Sequence, residues 1–142
     1  VGDDIHQFRS ANIAVAIATA DGLYPATVYG AEALSPQAIA AKVAELAGRA
    51  NSGALTREDI SGGSFTVSNL GMFGVNNFTA IINPPMGAIL ALGRAQEQVV
   101  VKGGAAVATV VNATLSCDHR VIDGAVGAQF LQVLGEEIAA LG

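Results

Sequence analysis

The chain has 142 residues, of which 51% are hydrophobic and 13% are charged, so it can bury a core and its length suits one domain. Its formal net charge is −5 and its seven Lys and Arg residues are scattered, which gives no basic stripe for nucleic acid. The longest apolar runs stop short of the ~20 residues that a membrane-spanning helix requires. We therefore expect a soluble protein that binds neither nucleic acid nor membrane.

The first predicted elements are a strand and a helix. Ile13, Val15 and Ile17 alternate with alanines, a pattern typical of a strand with a buried face, and the turn signal "DGLYP" is predicted to end it. In "ALSPQAIAAKVAELAGRANSG", Ser35 suits the N-cap and Pro36 the first helical position. The apolar stripe predicted to face a sheet comprises Ile39, Val43, Leu46 and Ala47, with Gly53 as the stop.

Strands dominate the middle of the chain, and a second helix is predicted to end it. "SFTVSNLGMFG" predicts a strand followed by a loop. Residues 79–116 predict two or three more strands, with "KGG" at 102–104 as a hairpin turn, and Pro84 and Pro85 exclude a central strand there. Asp123 is predicted to cap the last helix. Its apolar stripe comprises Val126, Phe130, Val133, Leu134, Ile138 and Leu141. Strands crossed by two helices predict an α/β sandwich.

The segment "LSCDHRVIDGAVGAQF" at 115–130 concentrates ionisable groups and the only cysteine at a strand-to-helix junction. On an extended strand, Cys117 and His119 would share one face and Ser116 and Asp118 the other. A neutral imidazole is the side chain best suited to remove a proton near pH 7, which makes His119 a candidate general base. The alternative is a structural histidine satisfied by nearby carboxylates.

Three other interpretations of this segment are open to test. A nucleophilic pair of Cys117 and His119 is disfavoured, because same-face strand neighbours lie about 6 to 7 Å apart. A metal site from Asp118, His119 and Asp123 is disfavoured too, because Asp118 would point away and no other His or Cys cluster is near. Asp123 as an N-cap would stabilise the helix by about 1 kcal/mol. Cys117 fits a small buried apolar residue and, as the only cysteine, a reducing compartment.

Two stretches together resemble a known family. "DHRVIDG" at 118–124, with "GGSFTVSNLGMFGVNNFTAIINPPMGAILALG" at 62–93, is similar to the acyltransferase component of the 2-oxo acid dehydrogenase complexes. The resemblance implies a chloramphenicol acetyltransferase-like fold, a two-layer α/β sandwich with a mixed sheet. Residues 1–142 would be the C-terminal part of the catalytic domain, truncated at its N-terminus. "SNLGMFG" resembles the acetyl-transferring, pyruvate-type branch, which implies transfer between dihydrolipoamide and coenzyme A without a metal ion.

The resemblance also implies roles for residues and partners. His119 aligns with the base that removes the thiol proton, Ser68 with the hydroxyl that binds the oxyanion, and Asp123 with a group that supports the site geometry. In this family the histidine and the serine come from neighbouring subunits of a trimer. The implied partners are further copies of the chain in a larger core, lipoyl domains and the other components of the complex. The implied compartment is the bacterial cytoplasm or the mitochondrial matrix.

The chain departs from the family pattern at two positions. Tyr29 stands in the approximate place of an arginine, and Met86 replaces a polar residue common after the two prolines. The coenzyme A contacts are therefore left unassigned. The alternative to an active enzyme is a truncated, inactive core or scaffold component of such a complex. A thiol hydrolase built on Cys117 is a third, weaker hypothesis.

Overall fold

The computed structural model describes residues 4–101 and 103–141. Its strands are β1 (Ile13–Thr19), β2 (Gly22–Val28), β3 (Phe65–Asn69), β4 (Ala88–Leu92), β5 (Gln96–Val101), β6 (Ala105–Val110) and β7 (Ala113–Cys117). The helices are α1 (Pro36–Asn51) and α2 (Gly124–Ala140), with short 3₁₀ turns at Ala31–Ala33 and Gly71–Phe73. Five strands form one sheet in the order β2-β1-β3-β4-β7, and β5 and β6 form a separate hairpin.

The main sheet is mixed, as the resemblance implies. β1 pairs with β3 and β3 with β4 in parallel, whereas the outer pairs, β2 with β1 and β4 with β7, are antiparallel. Both helices pack on one face of this sheet, so the α/β sandwich predicted from the sequence is confirmed. None of the helices in the described residues is long and apolar enough to cross a membrane.

The turn predicted at "DGLYP" ends β1 as expected, but it is shorter than the sequence indicates, because residues 22–25 are strand. Only Ala20 and Asp21 connect β1 to β2, and β2 contains Pro25, which pairs with Ala16. β2 is the edge strand, with β1 on one side only. A proline is tolerated there because no second neighbour needs its missing N–H group.

The first helix forms as the sequence predicts. Ser35 Oγ accepts a hydrogen bond from the Ala38 amide at 3.2 Å, and Pro36 occupies the first turn, where its missing N–H costs nothing. Gly53 follows the helix with a φ of 68°, a left-handed conformation that favours glycine at a helix end. The core between α1 and the sheet consists of Ile17, Ala26 and Val28 from the strands and Leu46 and Ala50 from the helix.

The two faces of the sheet differ in side-chain size, and the register shows which residues share a face. The helix face carries the larger apolar residues of the central strands, such as Val15, Val67 and Leu90. The opposite face, here called the open face, carries Ala16, Ser68 and Ala91 instead. Part of the open face is covered by residues 74–86, which are attached at β7 by a hydrogen bond from Ser116 Oγ to the Ala80 carbonyl at 2.9 Å.

The strands after residue 79 exceed the predicted number. Four strands, β4 to β7, lie in the region expected to hold two or three. Residues 79–87, which include Pro84 and Pro85, are not in a strand, as the prolines predict. The hairpin of β5 and β6 is present, and Gly103 in its turn has a φ of 72°. Lys102, the first residue of the predicted "KGG" turn, lies outside the described residues.

The second helix is capped as predicted, but its apolar stripe is not buried. Phe130 packs on Phe65, with ring centroids 5.5 Å apart, and Gly127 is buried against the sheet. The predicted burial of Val126, Val133, Ile138 and Leu141 is wrong in the single chain, because these side chains lie on the side of α2 that faces solvent, whereas Leu134 is half-buried. Val126, Val133, Ile138 and Leu141 are exposed by 52 to 88%.

Candidate active site

His119 lies in a turn and not on a strand. β7 ends at Cys117, so the predicted sharing of one strand face by Cys117 and His119 is wrong. The Asp118 amide donates to the Gly87 carbonyl at 2.8 Å, and the Asp118 carbonyl accepts from the amides of Val121 and Ile122. These backbone bonds fix the turn and leave the His119 side chain exposed. No hydrogen bond joins the imidazole to another described residue.

Asp118 is engaged by Arg120 and not by His119. The guanidinium Nη2 lies 2.7 Å from one carboxylate oxygen and Nε 3.0 Å from the other. The side-chain hydrogen bonds from Arg120, followed by its backbone N–H, lower the pKa of Asp118 to about 2. The carboxylate is therefore ionised at neutral pH and satisfied by a neighbour in the turn, which leaves His119 unpaired beside it.

Asp123 caps the helix that follows. Its Oδ1 accepts a hydrogen bond from the Val126 amide at 2.9 Å, at the positive end of the α2 dipole. This confirms the predicted cap. Asp118 and Asp123 thus hold the two ends of the segment that carries His119, and neither carboxylate satisfies the imidazole in this chain.

Cys117 faces the underside of α2. A side chain at Gly127 would lie 3.6 Å from the Cys117 sulfur, so the thiol occupies the space that this glycine leaves. Burial raises the pKa of the thiol, which lowers its thiolate fraction. The packing agrees with the prediction of a small apolar residue and disfavours a nucleophilic role.

Ser68 lies on the open face of β3, next to a cavity. The residue is 8% exposed, and its hydroxyl makes no hydrogen bond with any described residue. The cavity has a volume of about 630 Å³ and is bounded by the sheet on one side and by residues 78–83 on the other. A hydroxyl that opens onto the cavity without a fixed partner is available to a group that enters it.

Ser68 and His119 of one chain do not meet. Ser68 on β3 pairs with Ala91 on β4, and Cys117 on β7 pairs with Ala88 on β4. β3 and β7 are therefore two strand spacings apart. Three residues along the strands and two spacings across them separate Ser68 from Cys117 by about 14 Å, with His119 further away still. A general base must come within about 2.6 to 3.2 Å of the proton that it removes. The chain therefore brings His119 close to Asp118 and Asp123 but not to Ser68.

The two departures from the family pattern have structural explanations. The Tyr29 hydroxyl lies 2.8 Å from the carbonyl oxygens of Glu58 and Ser61 and donates to them, which attaches the loop after α1 to β2. Met86 is buried, and its sulfur accepts a hydrogen bond from Thr66 Oγ1 at 2.6 Å. Both side chains thus have packing roles. No group of three His, Cys, Asp or Glu that could hold a metal ion occurs within residues 4–101 and 103–141.

The sequence interpretation missed the neighbours of Ser68 on the open face. Val15 pairs with Val67, so the next residue of each strand, Ala16 and Ser68, lies on the open face beside the other, and Pro25 pairs with Ala16. Both line the cavity. The signal was present, because the alanines at 14, 16 and 18 alternate with larger apolar residues and predict one smooth strand face.

Comparison with known proteins gives a consistent result. A family model described as 2-oxoacid dehydrogenases acyltransferase (catalytic domain) matches residues 1–141. An Arabidopsis thaliana mitochondrial protein named dihydrolipoyllysine-residue acetyltransferase component 2 of pyruvate dehydrogenase complex is 48% identical over 132 residues. A Rickettsia bellii protein named as the corresponding component is 42% identical over 132 residues. These alignments cover 90% and 92% of the chain, but the chain spans only 24% and 32% of the relatives.

Solved structures agree with the sequence matches. The Azotobacter vinelandii dihydrolipoamide acetyltransferase superposes with a TM-score of 0.91 at 37% identity. The match covers 95% of this chain and 56% of that one. That structure addresses the role of a serine, a histidine and an asparagine in the catalytic mechanism of the Azotobacter enzyme.

Proposed function

The chain belongs to the acyltransferase family of the 2-oxoacid dehydrogenases, and we propose that it transfers an acetyl group between dihydrolipoamide and coenzyme A. Its relatives are named as acetyltransferase components of pyruvate dehydrogenase complexes. Residues 1–142 would form the C-terminal part of a chloramphenicol acetyltransferase-like catalytic domain. The lipoyl group and coenzyme A are the substrates, and the reaction needs no metal ion.

The observation that carries this proposal is the Ser68 hydroxyl, which opens onto the cavity and makes no hydrogen bond with any described residue. A hydroxyl without a fixed partner can donate a hydrogen bond to a group that is present only during a reaction. The oxyanion of a tetrahedral thioester intermediate is such a group. One oxyanion donor is worth about 2.7 to 4 kcal/mol of transition-state stabilisation.

The proposed mechanism uses His119 as the base. The imidazole removes the proton from the attacking thiol, whose unperturbed pKa of about 8.5 leaves little thiolate at neutral pH. The thiolate adds to the thioester carbonyl carbon, and Ser68 donates a hydrogen bond to the resulting oxyanion. Collapse of the intermediate breaks the original C–S bond, and His119 returns its proton to the departing thiolate. Asp123 and Asp118 position the turn that carries the imidazole.

We infer that the active site is shared between copies, because His119 cannot reach Ser68 in its own chain. In the Azotobacter enzyme the histidine and asparagine under study are four positions apart, the same spacing as His119 and Asp123. A cyclic trimer would let each His119 approach the Ser68 of a neighbour. The exposed apolar side of α2 supports association, since surfaces of this kind usually become interfaces.

Larger assembly and location follow as parts of the same proposal. The relatives are components of pyruvate dehydrogenase complexes, in mitochondria for Arabidopsis and in a bacterium for Rickettsia. We propose that trimers of this chain build a multienzyme core that receives lipoyl domains and contacts the other components. The corresponding compartment is the mitochondrial matrix or the bacterial cytoplasm.

A scaffold without activity is the second candidate. The observation in its favour is that the exposed apolar side of α2 does not include Ser68, so association through this helix does not depend on the Ser68 hydroxyl. A chain could therefore keep its oligomeric contacts after losing turnover. Measured acetyl transfer distinguishes the two candidates.

Mixing two inactive variants tests the shared site. His119→Ala and Ser68→Ala chains should each be inactive alone but regain activity after unfolding and refolding together. Random assembly pairs an intact Ser68 with an intact neighbouring His119 at about one quarter of the interfaces, so about a quarter of wild-type activity is expected. Sedimentation velocity should show trimers or multiples of trimers. Mixed chains that stay inactive while forming trimers would rule out a site built from two subunits.

A further inference from the structure

Small side chains form a row that leads away from Ser68 across the open face. The row runs from Ala91 on β4 through Ser68 on β3 and Ala16 on β1 to Pro25 on β2. Ala16, Pro25 and Ser68 all line the cavity, with residues 78–82 as its roof. We propose that this groove, the part of the cavity above Ser68, Ala16 and Pro25, holds straight acyl chains longer than acetyl during transfer. The inference rests on the proposed function of Ser68.

The groove has the right position for the chain of a thioester. An acyl chain is attached to the same carbon as the oxyanion, so it must begin where Ser68 binds that oxygen. From Ser68 to Pro25 the row crosses two strand spacings, or about 10 Å, which fits several methylene groups laid across the strands. The cavity of about 630 Å³ is in the range that holds drug-sized ligands. An acetyl group alone would fill only a small part of it.

In the tetrahedral intermediate the former carbonyl carbon carries the acyl chain and the sulfur atoms of the two thiol substrates. The side chains that line the groove favour the acyl chain over either thiol substrate. Both thiol substrates carry their sulfur on arms that contain amides, which lose free energy if buried without hydrogen bonds. The floor along the row offers Ala16 and Pro25, and Leu23 and Ile89 extend it on either side. These four side chains provide no donor or acceptor, the Thr66 hydroxyl of the floor donates to the Met86 sulfur, and the other polar side chains of the lining, Thr79 and Asn83, belong to the roof at residues 78–83. The amide-bearing arms are therefore expected to leave the site along the neighbouring subunit, and the acyl chain to occupy the groove.

The reaction with a longer chain is the same as with acetyl. The attacking thiolate forms a new C–S bond at the carbonyl carbon, the original C–S bond breaks, and the proton held by His119 passes to the leaving thiolate. No oxidant, metal or further reactant is required. Chain length changes only the apolar surface that is buried in the groove.

A series of acyl-CoA thioesters tests the proposal on the assembled protein. Binding of acetyl-, butyryl- and hexanoyl-CoA would be measured by calorimetry, and transfer from each to dihydrolipoamide by product formation. A fully buried methylene group is worth about fourfold in affinity, the ratio equivalent to about 0.8 kcal/mol. Because the groove is partly open, we expect hexanoyl-CoA to bind at least about tenfold more tightly than acetyl-CoA. Equal affinities across the series would overturn the proposal.

Ala16→Val locates the effect, and Ala18→Val is the matched control. Both substitutions put a β-branched residue on the same face of β1, but Ala18 is exposed and does not line the cavity. Ala16→Val should lower the ratio of hexanoyl to acetyl affinity by about tenfold, and Ala18→Val should leave it unchanged. A ratio that neither variant lowers, or that both lower equally, contradicts the assignment.

Different results would refute the proposed function and the acyl groove. If wild-type protein prefers hexanoyl-CoA but transfers no acetyl group, the groove is supported and the proposed function is refuted. If acetyl transfer occurs and hexanoyl-CoA is neither preferred nor transferred, the function stands and the groove is refuted. Should Ala16→Val fail to fold, the wild-type series alone decides the question.

Discussion

Replacing Ser68 with alanine separates the catalytic from the structural contribution of this side chain. The residue is 8% exposed, and its hydroxyl makes no hydrogen bond in the described part of the chain, so its removal breaks no structural bond. The neighbours of Ser68 in its row are alanines, and an alanine at 68 therefore fits the same sheet surface. We expect the free energy of unfolding to change by less than about 1 kcal/mol, since no bonded partner loses its hydrogen bond.

The catalytic effect of the same substitution should be large. If Ser68 donates to the oxyanion, its loss removes about 2.7 to 4 kcal/mol of transition-state stabilisation, or about 10² to 10³ in kcat. KM should change little, because the ground-state carbonyl binds the hydroxyl only weakly. Large loss of kcat with an unchanged melting temperature is thus the expected combination.

Thr27→Val provides the matched control. Thr27 is 1% exposed, and its hydroxyl has no hydrogen-bond partner among the described residues, but Thr27 does not line the cavity at Ser68. Valine has nearly the same shape, so this variant should be at least as stable as wild type and fully active. Acetyl transfer by each variant would be followed with acetyl-CoA and dihydrolipoamide, and unfolding by calorimetry. A Ser68→Ala enzyme with wild-type kcat would refute the oxyanion role.

Three further predictions concern the turn after β7. His119→Ala should lose about 10² to 10⁴ in rate, the contribution of a general base; an alanine variant with undiminished kcat would contradict this. Arg120→Met should raise the pKa of Asp118 from about 2 towards its ordinary 3.8, measured by NMR titration. Because the folded pKa is the lower one, the ion pair stabilises the fold above pH 3.8, and that contribution is lost as the pH falls towards 2. Cys117→Ser should keep its activity, whereas an inactive but folded variant would favour a thiol nucleophile.

The starts of both helices could be predicted from the sequence, because the interactions that form them are local. Ser35 and Asp123 each cap a helix through their own side-chain oxygen within three residues, so the sequence contains the whole interaction. The β3 strand and the hairpin turn at Gly103 are similarly local. β2 was missed because Gly22 and Pro25 signal a turn, and only the position of β2 at the sheet edge makes a proline acceptable.

For the site, the sequence by itself supplied the candidate residues. His119, Asp123 and Ser68 followed from motif and resemblance, and the alternation of Ile13, Val15 and Ile17 with alanines predicted the β1 strand. Tertiary structure alone decided where these residues lie. Strand order places two spacings between Ser68 and His119, and the end of β7 at Cys117 turns His119 out to solvent. Pairing between distant strands fixes these distances, and no local pattern encodes the order in which strands assemble.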